Sequence, residues 1–228
     1  MKNSIKKIIP WALKKKLSEN YLEVFRKNHR EKYLRREKQI PHLELEDKHL
    51  KSLTALPNRV SLLEKLPKGG IVAEIGVDTG EFSELILRYT NPKKLHLIDI
   101  WDSPRYNQDK KRIVEKKYKD QIISGKLEIN LGYSTKVASQ FEDGYFDWLY
   151  IDTDHSYGTT RDELKLYAPK LKKGGVIAGH DYEVGHWNSL AKFGVIEAVH
   201  EFCVLHNWEF IYLTMENRDH RSFAIRKM

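Results

Sequence analysis

Two short runs gather acids and imidazoles: Ile151-Asp152-Thr153-Asp154-His155-Ser156-Tyr157, and Gly174-Gly175-Val176-Ile177-Ala178-Gly179-His180-Asp181-Tyr182. Each polar group follows an apolar stretch of strand character, so Asp152, Asp154, His155, His180 and Asp181 are expected at strand ends. If the strands are parallel neighbours, all five converge on one sheet edge, where ligands of such sheets bind. Two chemistries suit them. The carboxylates of Asp152 and Asp181 are hard oxygen donors fit for Mg²⁺, and an imidazole from His180 among the ligands shifts the preference toward Mn²⁺ or another transition ion. His155, with an ordinary pKa near neutrality, suits removal of a proton from a weakly acidic hydroxyl better than the carboxylate of Asp154 does. The competing structural reading has His155 and Tyr157 capping the next helix or bonding within their loop. Against it, polar groups gathered in this number need partners when buried.

A third pattern lies upstream, in Ile71-Val72-Ala73-Glu74-Ile75-Gly76-Val77-Asp78-Thr79-Gly80. It joins a buried-strand run to a glycine turn, and Phe82, Leu85, Ile86 and Tyr89 then follow at helical spacing. The glycines let the backbone turn sharply and approach a ligand closely. The spacing Glu74-x-Gly76-x-x-x-Gly80 lacks the middle glycine at which a pyrophosphate would sit, which disfavours a dinucleotide oxidoreductase and fits a cofactor without phosphates. A tight strand-to-helix turn with no ligand is the plain alternative. A second strand run, Lys94 to Asp102, carries at its end an acid, Asp99, 23 residues after Gly76. A carboxylate at about that distance accepts ribose hydroxyls in doubly wound folds.

Together these motifs resemble class I S-adenosylmethionine (SAM) dependent methyltransferases. The I-D-x-D-H-S-Y and G-G-x-I-x-x-H-D-Y pair resembles the metal-dependent sugar O-methyltransferases typified by macrocin O-methyltransferase. The resemblance spans roughly Arg59 to Lys227. It implies that Glu74, Gly76 and Gly80 pass under SAM, that Asp99 binds its ribose, and that Asp152 borders cofactor and metal. It also implies Asp152, His180 and Asp181 as ligands of Mg²⁺ or Mn²⁺, with His155 as general base and Asp154 as the acid that some relatives use. His180 departs from the family's adjacent acidic pair. In the strand and turn Lys126 to Ser134, Tyr133 stands where relatives often carry an adenine-binding acid before a serine such as Ser134. Tyr133 either stacks on adenine or packs in the core. The implied reaction is O-methylation of a sugar, glycan or natural-product hydroxyl, with N-methylation or non-catalytic SAM binding as alternatives.

The elements that must position these groups form an α/β fold, a doubly wound and mostly parallel seven-stranded sheet with a helical N-terminal arm. The last two strands, Trp208 to Leu213 and Ser222 to Lys227, form a hairpin about a polar turn, Glu216 to Arg221. An amphipathic helix, Gly194 to Cys203, precedes them. Tyr182 to Lys192 reads as a loop over the acceptor, with Trp187 either packed on a sugar ring or pinning the loop. A chain of 228 residues suffices for a single such domain, taken as 53–228, plus an arm, 1–52.

The net charge of +8 lies wholly in the arm: Met1 to Lys51 carry 15 Lys and Arg against 7 Asp and Glu. There Ile5, Ile9, Leu13, Leu17, Tyr21 and Val24 recur every three or four residues among Lys14, Lys15, Lys16, Arg26, Lys27, Arg35 and Arg36, with Pro10 starting or kinking a helix and Trp11 beside it. The pattern fits docking on the core or on a second subunit in a homo-oligomer, and secondarily peripheral contact with anionic membrane. Nucleic acid is disfavoured, since no recognition motif accompanies the charge. No apolar stretch approaches a membrane span or a signal peptide, and the lone Cys203 forms no internal disulfide. A cytoplasmic place, including the inner membrane face, is expected.

Overall fold

The structure, a computed structural model, describes residues 11–186, 191–217 and 219–228. Ile5, Ile9, Pro10 and Trp187 lie outside the described residues, as do the side chains of Trp11, Leu13, Lys14, Lys15, Leu17, Arg26 and Arg36. The chain divides into two compact units, Met1–Pro41 and His42–Met228. In the first, helix α1 (Trp11–Glu37) leaves Tyr21, Leu22 and Val24 exposed, with Tyr21 stacked on Phe25.

In the second unit, the elements are α2 (Asp47–Leu50), β1 (Thr54–Leu56), α3 (Arg59–Lys65), β2 (Ile71–Ile75), α4 (Glu81–Thr90), β3 (Lys94–Asp99), α5 (Gln108–Lys117), α6 (Lys119–Ile123) and β4 (Leu127–Leu131). They continue through α7 (Ser134–Val137), β5 (Phe146–Ile151), α8 (Tyr157–Tyr167), β6 (Leu171–Gly179), β7 (Gly185–His186), β8 (Ala191–Lys192), α9 (Val195–His206), β9 (Trp208–Thr214) and β10 (Phe223–Lys227). The main sheet runs β1-β9-β10-β6-β5-β2-β3-β4. Ladders β6-β5, β5-β2, β2-β3 and β3-β4 are parallel, and β10 is antiparallel to both of its neighbours. The fold is the expected Rossmann-like α/β sheet, with eight strands rather than seven. The extra strand, β1, is three residues long and pairs in parallel with β9 at the edge, too short to leave a periodic signal. Within the expected loop after Tyr182, β7 and β8 form a small antiparallel ladder.

Side chains alternate across the sheet, so each strand feeds two cores. On one face Ala73, Ile75, Leu149, Ile151 and Ile177 pack with Leu164 and Tyr167 of α8 and Val199 and Phe202 of α9. On the other, Val72, Leu95, Trp148 and Tyr150 pack with Leu62 and Leu63 of α3 and Phe82 and Ile86 of α4. Ile86 is fully buried, which stabilises the packing by about 1.5–3 kcal/mol. Asn58 caps α3, its side chain accepting from Ser61 N, and Ser156 caps α8 by accepting from Thr159 N. Chain order reverses at β2, whose neighbours are β3 on one side and β5 on the other. The crevice between the carboxyl ends of β2 and β5 is therefore the place where such a sheet binds its ligand.

Candidate active site

The glycine loop after β2 is shaped by close approach. Gly76 has φ +87°, and a Cβ there would overlap the carbonyl oxygen of Asp152 at the end of β5. Its amide donates to Ile98 O at 2.8 Å, and Asp152 N donates to Ile75 O at 2.7 Å, so three strand ends are tied together. Gly80, at φ +72°, is the N-cap of α4, and its carbonyl accepts from the Tyr118 hydroxyl and, at 3.2 Å, from Lys117 Nζ.

Asp99 braces this loop. Its Oδ2 accepts from Val77 N (2.8 Å) and Asp78 N (3.2 Å), and its Oδ1 accepts from Trp101 N (2.9 Å). A carboxylate offers about four acceptor positions, so these bonds leave roughly one for a further donor. The Trp101 indole donates to Asp78 O at 2.8 Å, which fixes Asp78 at φ +52°. Glu74 points from β2 into the α4 side of the core, fully buried, where the Ser83 hydroxyl donates to it. Burial pushes its carboxyl up to about 8, against a smaller downward pull from Ser83.

The turn after β4 carries Tyr133 and Ser134. Tyr133 is 64% exposed, which removes core packing from the two roles open to it. Ser134 donates through Oγ to Glu163 Oε1 at 2.5 Å, and its carbonyl accepts from the Tyr167 hydroxyl at 2.9 Å. Glu163 was not legible as a site residue from sequence, because it reads as one more charge in a helix.

The ends of β5 and β6 bring Asp152, His155, His180 and Asp181 together. His155 Nδ1 pairs with Asp181 Oδ2, and both residues have left-handed backbones, φ +58° and +55°, a strain that clusters at working sites. Burial lowers the pKa of His155, but the hydrogen bond and charge of Asp181 outweigh it, and the net shift is upward. Burial likewise opposes ionisation of Asp181, yet His155 and His180 hold it well below the usual carboxylate range. Asp152 is raised to about 6 by burial, with His180 pulling the other way. Asp154 turns elsewhere: it accepts from Ser156 N at 3.0 Å and from the Thr159 hydroxyl at 2.9 Å, at the start of α8.

His180 is buried, with Nδ1 3.6 Å from an oxygen of Asp152 and of Asp181, and with Nε2 3.8 Å from Asp219 Oδ1 and without a hydrogen-bond partner among the described residues. At these strand ends, potential ligand atoms of Asp152, His155 and Asp181 lie within 4.8 Å of one another. His155 thus stands in the compact donor set where His180 was expected.

The sequence reading missed two groups here. His220 Nδ1 pairs with Asp181 Oδ1, and Arg59 pairs with Asp219 at 2.9 Å while its own amide donates to Glu216 Oε1 at 2.5 Å. No spacing rule links residues 181 and 220. Only the register Phe223↔Gly179, which sets the start of β10 beside the end of β6, joins them, with Tyr182 N donating to Arg221 O at 3.0 Å.

Residues 73–182 match the model of a methyltransferase domain. Among curated proteins, none matches. Solved structures share the fold at low identity. A Clostridium thermocellum protein described as an rRNA-methylase is 15% identical with a TM-score of 0.57, covering 76% of this chain and 97% of its own. SMU.1697c of Streptococcus mutans, described as a methyltransferase and solved with S-adenosylhomocysteine (SAH), is 14% identical with a TM-score of 0.54, covering 75% and 96%. Geranyl diphosphate methyltransferase, solved with SAM, is 8% identical with a TM-score of 0.56, covering 75% and 84%. The matched methyltransferase domain takes in the glycine loop, Asp99 and the ends of β5 and β6, and the solved structures share its fold.

Proposed function

We propose that the chain methylates a hydroxyl of a sugar, glycan or related natural product, with His155 as the general base. The observation that carries this reading is the His155–Asp181 pair at the end of the crevice, with His155 partly exposed and Asp181 buried behind it. Asp181 accepts from Nδ1 and so leaves the lone pair on Nε2, the tautomer a base needs. An alcohol is a poor nucleophile at neutral pH, so an imidazole whose protonated form is stabilised by a buried carboxylate supplies what the acceptor lacks. SAM, when bound, would supply the activated methyl group, and His155 Nε2 would take up the proton that the acceptor hydroxyl gives up. The protein's share is alignment, proton removal and electrostatics. The glycine loop, with Gly76, Gly80 and Asp99, and the turn with Tyr133 and Ser134 hold the cofactor in this reading, and Glu74 supports the loop from the core beneath it. Asp152 stands between cofactor and acceptor.

A second reading rests on the compact donor set. Asp152, His155 and Asp181 would hold a divalent cation, whose charge would acidify a bound hydroxyl, and His155 would then be a ligand rather than the base. Calorimetric titration with SAH, repeated with Mg²⁺, with Mn²⁺ and after EDTA, separates the two. SAH binding that survives EDTA, with no heat from either ion, supports the base. A metal heat that Asp152→Ala abolishes supports the cation. Absence of SAH binding under every condition overturns the methyl-transfer reading.

A further inference from the structure

Glu163 is a fully buried carboxylate with an unusual reach. Its Oε1 accepts from Ser134 Oγ at 2.5 Å in the turn after β4, and its Oε2 accepts from Thr153 Oγ1 at 2.9 Å in the loop after β5. These two strands are not neighbours, because β3 and β2 lie between them in the sheet. The bonded segments therefore flank the crevice at which chain order reverses. Tyr167, one helical turn beyond Glu163 on α8, adds a third bond, its hydroxyl donating to Ser134 O.

Burying a carboxylate is costly, and two hydroxyl donors repay only part of that cost. Its carboxyl is pushed up to about 7 by burial, against the pull of Ser134 and Thr153. An apolar residue would fill the α8 core more cheaply, so the gain lies in what the two oxygens hold. Thr153 sits directly between Asp152 and Asp154, two residues before His155. Anything that fixes Thr153 fixes the loop that presents Asp152 and His155.

We propose that Glu163 is a positioning residue, which locks the cofactor-side turn at Ser134 to the loop bearing Asp152 and His155, so that occupancy of the SAM site orders the reacting groups. The inference rests on the methyltransferase reading of the crevice and deepens it. Neither oxygen is asked to touch cofactor or acceptor. The carboxylate acts through two hydroxyls, and loop misplacement of about 1 Å can cost about a hundredfold in rate.

The test uses the full chain with SAH as probe and follows backbone hydrogen exchange in segments 131–137 and 151–156. In the wild type, SAH slows exchange in both segments together. In Glu163→Ala the expected result is SAH affinity reduced about tenfold, with protection confined to one segment; Glu163→Gln, which can keep both bonds by reversing one hydroxyl, restores joint protection. Joint protection in folded Glu163→Ala equal to the wild type overturns the proposal. If that variant does not fold, Thr153→Val, which removes one bond alone, carries the same expectation, and undiminished coupling there overturns it equally. Failure of wild-type chain to bind SAH defeats the underlying methyltransferase reading instead, so the two failures are distinguishable.

Discussion

Replacing Glu74 by glutamine changes one atom of a side chain that is sealed between β2 and α4, and its effect on stability reverses the usual expectation for a buried acid. The folded protein keeps the Glu74 proton up to about pH 8, whereas the unfolded chain releases it near 4.5. Stability from this group is therefore fully present below pH 4.5 and is lost as pH rises through about 8, because the unfolded state sheds its proton first. Each pH unit across that window is worth about 1.4 kcal/mol, so the whole passage removes about 5 kcal/mol. That is a large share of the roughly 5–15 kcal/mol that holds a domain folded. Glutamine keeps a neutral group of the same shape, able to accept from the Ser83 hydroxyl, and has no proton to lose. Glu74→Gln should nearly match the wild type at pH 4.5, exceed it by about 2 kcal/mol at pH 6 and by about 4 kcal/mol at pH 8. Urea unfolding of ligand-free protein at those three pH values, followed by circular dichroism, gives the differences directly. A pH-independent difference, or a glutamine variant weaker at pH 8, would refute the reasoning and mean that Glu74 is ionised in the fold and paired.

Three further outcomes are expected. His155→Ala should slow transfer to a hydroxyl acceptor by about 10²- to 10⁴-fold while SAH affinity, read by calorimetry, stays near that of the wild type; unchanged turnover would remove His155 from the mechanism. Because Asp181 raises the pKa of His155 above 6.5 and a base must be neutral to act, wild-type turnover should climb with pH on the alkaline side of 6.5, and a pH–rate profile flat above 6.5 would contradict this. Gly76→Ala should destabilise by about 3 kcal/mol or more in urea unfolding, since it combines a left-handed backbone with overlap on the Asp152 carbonyl.

The parts of this molecule that were legible in the sequence are those encoded over short distances. Strands β2, β3, β5 and β6 announce themselves by apolar runs, α4 by Phe82 and Ile86 at helical spacing, and the sharp turn by Gly76. What the sequence hides is set by the order of strands. His220 reaches Asp181 only because β10 enters the sheet beside β6, and Glu163 matters only because α8 lies across a gap two strands wide. Asp99 illustrates a subtler limit. Its distance from Gly76 marks it for a ligand, and yet in the fold it accepts from three backbone amides at Val77, Asp78 and Trp101, a bracing role that spacing does not encode.

The position of β10 also bears on how the chain assembles. It is the last strand in chain order, yet it lies inside the sheet, with β6 on one side and β9 on the other, and β1 reaches the rest only through β9. Until residues 223–227 emerge and insert, β6 and β9 each present an open hydrogen-bonding edge, and the two blocks of sheet have no ladder between them. A folding intermediate that lacks β10 is thus a half-sheet with a sticky margin, exposed to pairing with other chains. The turn that carries His220 enters with β10, so the same late event that seals the sheet completes the surroundings of Asp181, and a chain interrupted before it would lack both closure and its second imidazole.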